Sequence, residues 1–580
     1  MTNLTTLDWL VLAGILLTFI IIALSFRKTA SRSLSDFFLG GRNLPWYIAG
    51  VSMVATTFAA DTPLWVTEKI AQHGISGNWL WWNMLIGGML TTFFFARLWR
   101  RANILTELEF LELRYSGKVA SLLRGTKAIY LGLFMNVIII GWVNAALISI
   151  IEVFFEVPYQ TAFWVTMIAM ALVAIYSSVA GLLGIAMTDF AQFIIAMAGC
   201  IILAYIALDS PEIGGMAGIK AKLPAWRLDF FPKISGATDI AVGTFSLSAG
   251  AFFSYIGLQW WASWYPGNEP GGGGYISQRM MSAKDEKNAV YSSLFFQVAH
   301  YALRPWPWII VGLCALVLYP DLPIEDSRKG FIMVMRDFLP AGIKGLLLAG
   351  FLSAYMSTIS TQLNWGSSYL TNDLYKRFIL KAGDEDERKQ VKAGKIFTII
   401  IMLIALGVTS MINTIDSAAQ FLIASGAGLG MVLILRWYWW RINAWSELAA
   451  TIAPLLGLAI ARFGLKYDDT SAFIFTICFT TIIWLVATFV TKPTKTEVLQ
   501  AFYERTKPGG FWKPFRADGE KGISLGYNFV SWLSGTVMIY AILFFIGYGL
   551  LQEWTLFYIW LATALVSGAL MRWGMKKSDL

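Results

Sequence analysis

Charged residues, cysteine and histidine are scarce in this sequence. Of its 580 residues, 14% are charged, three are cysteine and two are histidine, whereas 57% are hydrophobic. So few cysteines, scattered through apolar segments, argue against a disulfide framework or a cysteine-bound metal cluster. The phosphate-binding pattern GxxxxGK[ST] and the metalloprotease pattern HExxH are both missing, which argues against an ATP-driven engine and against that class of hydrolase. We therefore expect a protein that is not an enzyme, with no catalytic residues and no cofactor.

Long apolar segments are what the sequence has instead. Runs of about 17 to 25 apolar residues can cross a hydrocarbon core of about 30 Å, and the sequence contains about fifteen such runs. This composition predicts an all-α polytopic membrane protein surrounded by membrane lipid. The formal net charge of +9 does not indicate a nucleic-acid partner, because lysine and arginine cluster in alternate loops.

The basic loops predict the orientation of the chain. Basic residues follow the first predicted span, at Arg27 and Lys28, and the third, at Arg100 and Arg101. The positive-inside rule places these loops in the cytoplasm. The N-terminus is then expected outside and the C-terminus, with its basic end at 572–577, inside a cell (inner) membrane. The first span lacks a basic leader before it, so we interpret it as a retained helix.

The stretch 43–72 predicts a broken membrane helix. Its first half, 46–59, is apolar and uncharged, and Ala60, Asp61, Thr62 and Pro63 then interrupt it. Within a bilayer, irregular backbone is tolerated where it is buried in protein or lines a wet cavity, and such a break can offer carbonyls to a cation and a half-helix end to a solute. A proline kink packed against its neighbours is the alternative. Asp61 favours the functional interpretation, because an ionisable group at membrane depth is costly.

Two further polar features lie within apolar spans. Asp189 interrupts an otherwise apolar segment near its expected cytoplasmic end; it indicates an ion or solute pathway, or alternatively a helix cap. Ala354, Ser357 and Thr358 follow one another at i, i+3 and i+4 and so share one helix face. Hydroxyl oxygens suit a hard monovalent cation, but such a face also serves as a contact between helices. The residues alone leave both pairs of alternatives open.

Four stretches together resemble a known family. In chain order they read SDFFLGGRNLPWYIAGVSMVATTFAAD, AGLLGIAMTDFAQ, SAYMSTISTQLNWGSSYLTNDLY and LILRWYWWRINAW. They resemble stretches of the sodium:solute symporter family, whose members include carriers of sugars, proline, sialic acid and iodide. The resemblance runs from Ser35 to Trp445 and implies a leucine-transporter-like fold, in which two five-helix repeats have inverted topology.

This resemblance also implies a domain division. Residues 1–43 would form an extra transmembrane helix and a cytoplasmic loop, and 44–208 the first five-helix repeat. Residues 209–440 would form an outside loop and the second repeat. Four more transmembrane helices would occupy 441–580, with a cytoplasmic insert at 492–526.

The ion site is carried over residue by residue. The resemblance implies a main sodium site of three carbonyl and two hydroxyl oxygens, at Ala55, Phe58, Ala354, Ser357 and Thr358. Five oxygens without thiol or imidazole suit a hard ion such as sodium. The family's aspartate at a second sodium site, or at the sodium exit, corresponds to Asp189.

Solute contacts carry over less well, because this sequence departs from the sugar-carrier pattern beyond the break and on the next helix. The candidate solute-binding residues are Thr57, Asp61, Thr62, Trp81, Asn83, Gln259, Trp260, His300, Arg304 and Gln420. His300 falls where a related sugar carrier has a substrate-binding lysine, and Arg304 lies one turn further along the helix. The alternatives are a packing role for His300 and an Arg304 side chain that extends to the membrane surface.

The chemistry of these residues favours two solute classes. Tryptophan faces near the expected cavity, at Trp81 and Trp260, suit pyranose rings, and the amides of Gln259 and Gln420 suit hydroxyl groups, which favours a sugar or sugar derivative. His300 and Arg304 suit a carboxylate instead, as in an acidic sugar or another organic anion. Pairing of Asp61 with either cation would remove that preference.

We therefore predict a symporter in which the sodium gradient imports a small organic solute by alternating access. A solute sensor on the same fold is the alternative; a channel is disfavoured because no carbonyl filter or charged ring is recognisable. The expected partners are sodium, the solute and membrane lipid, with no nucleic acid and no obligatory protein partner.

Overall fold

A computed structural model describes residues 4–25, 40–104, 106–177, 182–235, 246–248, 255–264, 269–380, 387–412, 414–517 and 525–580. Most of these residues lie in helices, and two short strands pair in parallel, β1 (Lys233–Ser235) with β2 (Ser246–Ser248). Within this part of the chain, nine helices are long and apolar enough to cross a membrane, and a bent helix pair is a tenth candidate. The predicted all-α polytopic membrane class is confirmed. The count of about fifteen spans stays a prediction, since several apolar stretches of the sequence, among them part of 239–264, lie outside the described residues.

The first third of the chain contains a terminal helix, a broken pair and five further helices. In chain order these are α1 (Thr6–Ser25), α2 (Trp46–Thr56), α3 (Asp61–His73), α4 (79–102), α5 (Glu109–Arg114), α6 (Gly117–Phe155), α7 (Tyr159–Ser177) and α8 (Leu182–Leu208).

The middle of the chain adds eight helices. They are α9 (Gly215–Lys222), α10 (Gly274–Ser282), α11 (Glu286–Leu318), α12 (Lys329–Phe338), α13 (Ile343–Ile379), α14 (Glu387–Met411), α15 (Ile415–Ser425) and α16 (Leu429–Tyr438). The axes of α15 and α16 differ by 50°. A π-helical turn at Tyr255–Gln259 continues into Trp260–Ala262.

The C-terminal part contains α17 (Ala444–Gly464), α18 (Asp469–Val490), α19 (Thr496–Thr506), α20 (Leu525–Leu550) and α21 (Trp554–Lys577). The insert that carries α19 is docked on the core: Trp512 Nε1 donates to the carbonyl of Trp437 at 2.8 Å, and Phe511 N donates to that of Tyr438 at 2.7 Å. Residues 518–524 of the insert lie outside the described part. The domain division at 44–208, 209–440 and 441–580 stays a prediction.

Packing places the broken pair between the helices that carry the other predicted site residues. α2 contacts α8 and α11, and α3 contacts α11 and α15. α13 contacts α1, α6, α8 and α14 and also touches α2. The break is therefore surrounded by α8, α11, α13 and α15.

The terminal helix α1 is fixed to the first turn of α13 by one carboxylate. Asp8 Oδ1 accepts from the backbone N of Gly342 at 2.8 Å and of Gly345 at 2.9 Å. These N–H groups begin a helix and have no partner within it, so the carboxylate caps them from another helix. A Cβ at Gly345 would lie 2.4 Å from the carbonyl oxygen of Asp8. Glycine thus allows α1 to approach α13 this closely.

The glycine run at 271–274 forms a close-packed turn. Gly271 and Gly272 have φ angles of 80° and 79°, and a Cβ at Gly272 would lie 2.8 Å from Trp99 Nε1. That indole donates to the carbonyl of Gly271 at 2.8 Å, and Gly274 N donates to Glu107 at 2.8 Å. Glycine is needed here for both the left-handed backbone and the close approach of Trp99.

Candidate functional site

The break in the second predicted span lies at residues 57–60. α2 ends with Thr57 N donating to the carbonyl of Met53 at 3.2 Å and Phe58 N to that of Ala55 at 2.9 Å. α3 then begins at Asp61. The sequence placed the interruption one turn later, at residues 60–63, and that position is wrong. Pro63 lies in the first turn of α3, where a helix tolerates proline because the missing N–H would have no helical partner.

A cavity of about 70 Å³ adjoins the break. We call it the break cavity, and its walls come from α2, α3, α4, α6, α10, α11 and α13. Its lining includes Thr56, Thr57, Ala59, Asp61, Thr62, Trp65, Trp81, Trp142, Tyr275, His300, Tyr301, Arg304, Thr358 and Gln362. Six of the predicted site residues, Thr57, Asp61, Thr62, Trp81, His300 and Arg304, are thus brought together with Thr358 of the predicted sodium site.

The predicted sodium ligands come from α2, the break and α13, and of the five Thr358 lines the cavity. Ala55 in the last turn of α2 and Phe58 in the break are buried. Ala354 and Thr358 are buried on α13, where Ser357 is half-buried. Thr358 Oγ1 donates to the carbonyl of Ala354 at 3.0 Å, so two predicted ligands already adjoin each other. A hydroxyl that donates to a carbonyl keeps lone pairs for a cation. These oxygens fit a sodium ion in type, and the ligation itself stays a prediction.

The side chain of Asp189 lies outside the described residues. Its helix α8 is close to the break, because the ring of Phe193, one turn further along, lies 6.4 Å from that of Phe58. The ring of Phe351 on α13 lies 6.3 Å from Phe58 on another side. Phe58 therefore packs between the helix of Asp189 and the helix of the predicted hydroxyl ligands.

His300 and Arg304 both reach the end of α2. His300 Nδ1 lies 3.2 Å from Thr57 Oγ1. Arg304 Nη1 donates to the carbonyl of Val54 at 3.0 Å and to Thr57 Oγ1 at 3.1 Å, and its guanidinium lies 5.0 Å from the ring centre of Trp308. With 1% of its surface exposed, Arg304 does not extend to the membrane surface, so that alternative is wrong. Its charge is held beside the break by the carbonyl and hydroxyl oxygens of α2.

The aromatic and amide candidates separate into three groups. Trp81 lines the break cavity and stacks on Tyr301 with ring centres 5.6 Å apart. Gln259 and Gln420 line a second cavity of about 530 Å³, which we call the amide cavity. Asn83 and Trp260 line neither of these two cavities.

Asn83 and Trp260 have local partners, and their solute contacts stay a prediction. Asn83 Nδ2 donates to the carbonyls of Trp79 at 2.7 Å and Leu80 at 2.9 Å, so its amide is used within its own helix. Trp260 Nε1 donates to the carbonyl of Ile256 at 2.8 Å, and its ring lies 5.8 Å from that of Trp532 on α20. Both side chains therefore have structural partners where solute contacts were expected.

The sequence analysis missed a buried carboxylate that joins the two cavities. Asp416 on α15 accepts from Trp65 Nε1 at 3.1 Å, from Gln420 Nε2 at 2.7 Å and from Lys69 Nζ at 2.8 Å. Trp65 lines the break cavity and Gln420 the amide cavity. We call these four residues the Asp416 partition, because the same carboxylate holds a wall of each cavity.

A signal for the partition was present in the sequence. Glu68 and Lys69 lie within the apolar surroundings of the second predicted span, and charges at membrane depth mark functional sites. Both are buried, with 0% and 2% of their surfaces exposed. Asp416, the ion-pair partner of Lys69, lies 347 positions after it in the sequence, so the pairing could be identified only from the fold.

The sequence matches one protein family and several known proteins over most of its length. The family model described as "Sodium:solute symporter family" matches residues 37–453. The sodium/glucose cotransporter of Vibrio parahaemolyticus is 23% identical over 487 residues, which cover 79% of this chain and 85% of that protein. The high-affinity proline transporter PutP of Bacillus subtilis is 26% identical over 443 residues, covering 74% and 86%. The sodium/proline symporter of Escherichia coli (strain K12) is 24% identical over 462 residues, covering 77% and 86%.

A solved structure is similar in fold. A sodium-coupled sialic acid symporter in a substrate-bound outward-open state superposes with a TM-score of 0.65 at 20% identity, covering 85% of this chain and 99% of that one. The predicted leucine-transporter-like fold class is confirmed.

Proposed function

Because the chain belongs to the sodium:solute symporter family, we propose that it imports a sugar or sugar derivative by alternating access, driven by the inward sodium gradient. The coarser part of this statement is established: the chain is a multi-pass sodium-coupled transporter for a small organic solute, and its family is not one of enzymes. Its orientation, with the N-terminus outside and the C-terminus in the cytoplasm, is part of the proposal.

The amide cavity carries the assignment of a sugar. Its volume of about 530 Å³ lies within the range of about 300 to 1,000 Å³ that is typical of small-molecule sites. The Nε2 groups of Gln259 and Gln420 donate to the carbonyl of Leu80 and to Asp416, so their Oε1 atoms are the groups that can accept from solute hydroxyls. The rings of Phe421, Phe463 and Phe473 line the same space. Amide groups beside aromatic rings are what a pyranose needs, because its rim is polar and its faces are apolar. The similarity to a sodium/glucose cotransporter supports the same class.

The sodium site couples the ion to this pathway. We assign the main ion to Ala55, Phe58, Ala354, Ser357 and Thr358, and a second site or an exit role to Asp189. An ion at the main site would join the break to α13, and this is possible only in conformations that bring the two together. Sodium thereby favours one set of conformations, and this differential affinity is the coupling.

Uptake into proteoliposomes tests the proposal. Radiolabelled neutral sugars should accumulate when external sodium is imposed and should not accumulate in choline buffer. Gln420→Leu and Gln259→Leu should raise the half-saturating sugar concentration about tenfold each, the effect of one lost hydrogen bond of about 1.4 kcal/mol. Gln500→Leu on α19, away from both cavities, is the matched control. Sodium-driven uptake of solutes other than sugars, with no uptake of any sugar, would reject the sugar assignment and keep the symporter.

An acidic sugar or another organic anion is the second candidate. The buried guanidinium of Arg304 at the break cavity favours it. If an acid is the solute, Arg304→Gln should weaken its binding and leave neutral sugars unaffected. An unchanged affinity of that variant for the acid would contradict the argument from Arg304 for an acidic solute.

A further inference from the structure

A chain of hydrogen bonds joins three helices beside the proposed sodium ligands. Tyr355 Oη on α13 donates to Asn144 Oδ1 on α6 at 2.9 Å, and Asn144 Nδ2 donates to Thr409 Oγ1 on α14 at 3.1 Å. Thr409 Oγ1 donates in turn to the carbonyl of Ala405 at 2.7 Å. We call Tyr355, Asn144 and Thr409 the Asn144 triad. The triad begins one residue after Ala354, whose carbonyl is a proposed sodium ligand.

The Asn144 triad is buried apart from both cavities. Its residues Tyr355, Asn144 and Thr409 are 1%, 0% and 1% exposed, and none of them lines the break cavity or the amide cavity. A buried polar group that loses its partner is costly, so each member of the triad depends on the next. Polar contacts of this kind also link membrane helices in general. What distinguishes this one is its position on α13.

The position of Tyr355 lets it control the rotation of α13. At about 100° per residue, Ser357 and Thr358 lie about 60° to one side of Ala354 and about 40° to the other, so the proposed ligands share one face. Tyr355 lies about 100° from Ala354, on the flank of this face. A rotation of about 20° would move side-chain oxygens, which lie about 2.3 to 5 Å from the helix axis, by about 1 to 2 Å. Binding sites are held to about 0.5 Å, so the flank must be fixed for the face to bind an ion.

The acceptor of the Tyr355 hydroxyl is itself held in place. α6, α13 and α14 pack on one another. A Cβ at Gly141, one turn before Asn144, would lie 2.6 Å from Ile412 Cδ1, so α14 lies close to α6 at this level. The Asn144 amide lies between Thr409 and Met170 of α7, whose Sδ is 3.6 Å from Nδ2. Helices on two sides thus orient the oxygen that accepts from α13.

We infer that Tyr355 is a positioning residue for the proposed sodium site. Held by the rest of the Asn144 triad, its hydroxyl fixes the rotation of α13 and turns the oxygens of Ala354, Ser357 and Thr358 towards the break. The inference rests on the proposed function in that the main ion must bind at these oxygens. It adds that the α13 half of the site stays with α6 and α14, whereas the other half belongs to the broken helix. Sodium then binds when the break reaches this fixed face.

Sodium alone is the probe that tests the role of Tyr355. The purified full-length protein in detergent is unfolded thermally over a range of sodium chloride concentrations, with choline chloride keeping the ionic strength constant. Tyr355→Phe removes the hydroxyl and keeps the ring. It should raise the half-saturating sodium concentration about tenfold or more, since the loss of a contact that orients a metal ligand lowers metal affinity about 10- to 100-fold. An unchanged half-saturating concentration, whatever the unfolding temperature, would show a merely structural role and overturn the inference.

Two changes at Thr409, which is not a proposed ligand, separate positioning from packing. Thr409→Ser keeps the hydroxyl that accepts from Asn144 and should leave the half-saturating sodium concentration unchanged. Thr409→Val keeps the shape of the side chain but loses the hydroxyl, and it should raise that concentration as Tyr355→Phe does. Equal sodium dependence in the two Thr409 variants would overturn the inference. Should Tyr355→Phe fail to fold, this pair decides.

Tyr540→Phe is the matched control. Tyr540 Oη on α20 donates to the carbonyl of Trp82 at 2.8 Å. The variant therefore also removes one tyrosine hydroxyl bond, on a helix that carries no proposed sodium ligand. It should leave the half-saturating sodium concentration unchanged. An increase as large as that in Tyr355→Phe would indicate a general effect of lost stability and contradict the inference.

The proposed sodium site fails in a different way. If sodium does not stabilise the unaltered protein, or if Thr358→Ala leaves the half-saturating sodium concentration unchanged, the proposed site is refuted. If Thr358→Ala raises that concentration while Tyr355→Phe does not, the site stands and the inference alone is rejected.

Discussion

Lys69→Met should loosen the Asp416 partition and expose the break cavity. In the structure the Lys69 ammonium lies 2.8 Å from Asp416, and both side chains are largely buried. Removing one partner of a buried ion pair costs about 3 to 5 kcal/mol, because the remaining charge has no compensation. Among the described residues, Asp416 would keep its two neutral donors, Trp65 and Gln420. The population of conformations in which water reaches the carboxylate should therefore increase. A change of about 3 kcal/mol corresponds to a factor on the order of 100 in that population.

Cysteine labelling measures this change. Thr62, half-buried in the wall of the break cavity, is replaced by cysteine in a Cys478→Ser background, since Cys200 and Cys314 are buried. A membrane-impermeant maleimide should modify Thr62→Cys faster when Lys69→Met is added. The double change Lys69→Met with Asp416→Asn should be labelled more slowly than the single one, since residue 416 then carries no charge that lacks a partner.

An exposed ion pair provides the control. Lys220 and Glu553 lie 2.6 Å apart with 35% and 51% of their side chains exposed, and such surface pairs contribute about 0 to 1 kcal/mol. Lys220→Met should leave the labelling rate unchanged. If Lys69→Met lowers the unfolding temperature while the labelling rate stays the same, the pair stabilises the fold without closing the cavity, and the reasoning is refuted.

Three further changes address the ion and the terminal helix. Thr358→Ala removes one of five proposed sodium ligands and should raise the half-saturating sodium concentration for uptake about tenfold, the effect of about 1.4 kcal/mol; uptake that proceeds equally in choline buffer would contradict a sodium site. Asp189→Asn should slow sodium release or lower the sodium Hill coefficient without abolishing solute binding, and no change in either quantity argues against an ion role. Asp8→Asn should lower thermal stability by about 1 to 2 kcal/mol, since the carboxylate caps the first turn of α13; an unfolding temperature equal to that of the unaltered protein would contradict the capping role.

Features that depend on local sequence were predictable. The apolar runs indicated membrane helices, and the small, uncharged stretch before Asp61 indicated a broken span. The break was placed one turn too late because Pro63 was interpreted as its cause, whereas proline in a first helical turn is compatible with the helix. The Asn83 Nδ2 group donates to carbonyls of its own helix, and a side chain's choice between its own backbone and a solute is not visible in a one-dimensional pattern.

Features that join distant segments were only partly predictable. The resemblance to a family brought His300 and Arg304 to the break, where both contact Thr57. The resemblance did not point to Lys69 or to Asp416, which form the buried ion pair. Such a pair depends on how α3 and α15 are oriented in the folded molecule, and the sequence alone contains several other buried charges that each could have joined.

The short helix α3 connects the proposed ion site, the break cavity and the partition. Asp61 begins α3 at the break, and Lys69 lies eight residues further on, about 12 Å along the helix axis. A helix of this length moves as a unit, so a rotation at residues 57–60 would displace Asp61 and Lys69 together. Sodium bound to the carbonyls of Ala55 and Phe58 would restrict that hinge. The ion would then hold Asp61 in place for the solute and Lys69 in place against Asp416, so that ion binding and closure of the pathway respond to one motion.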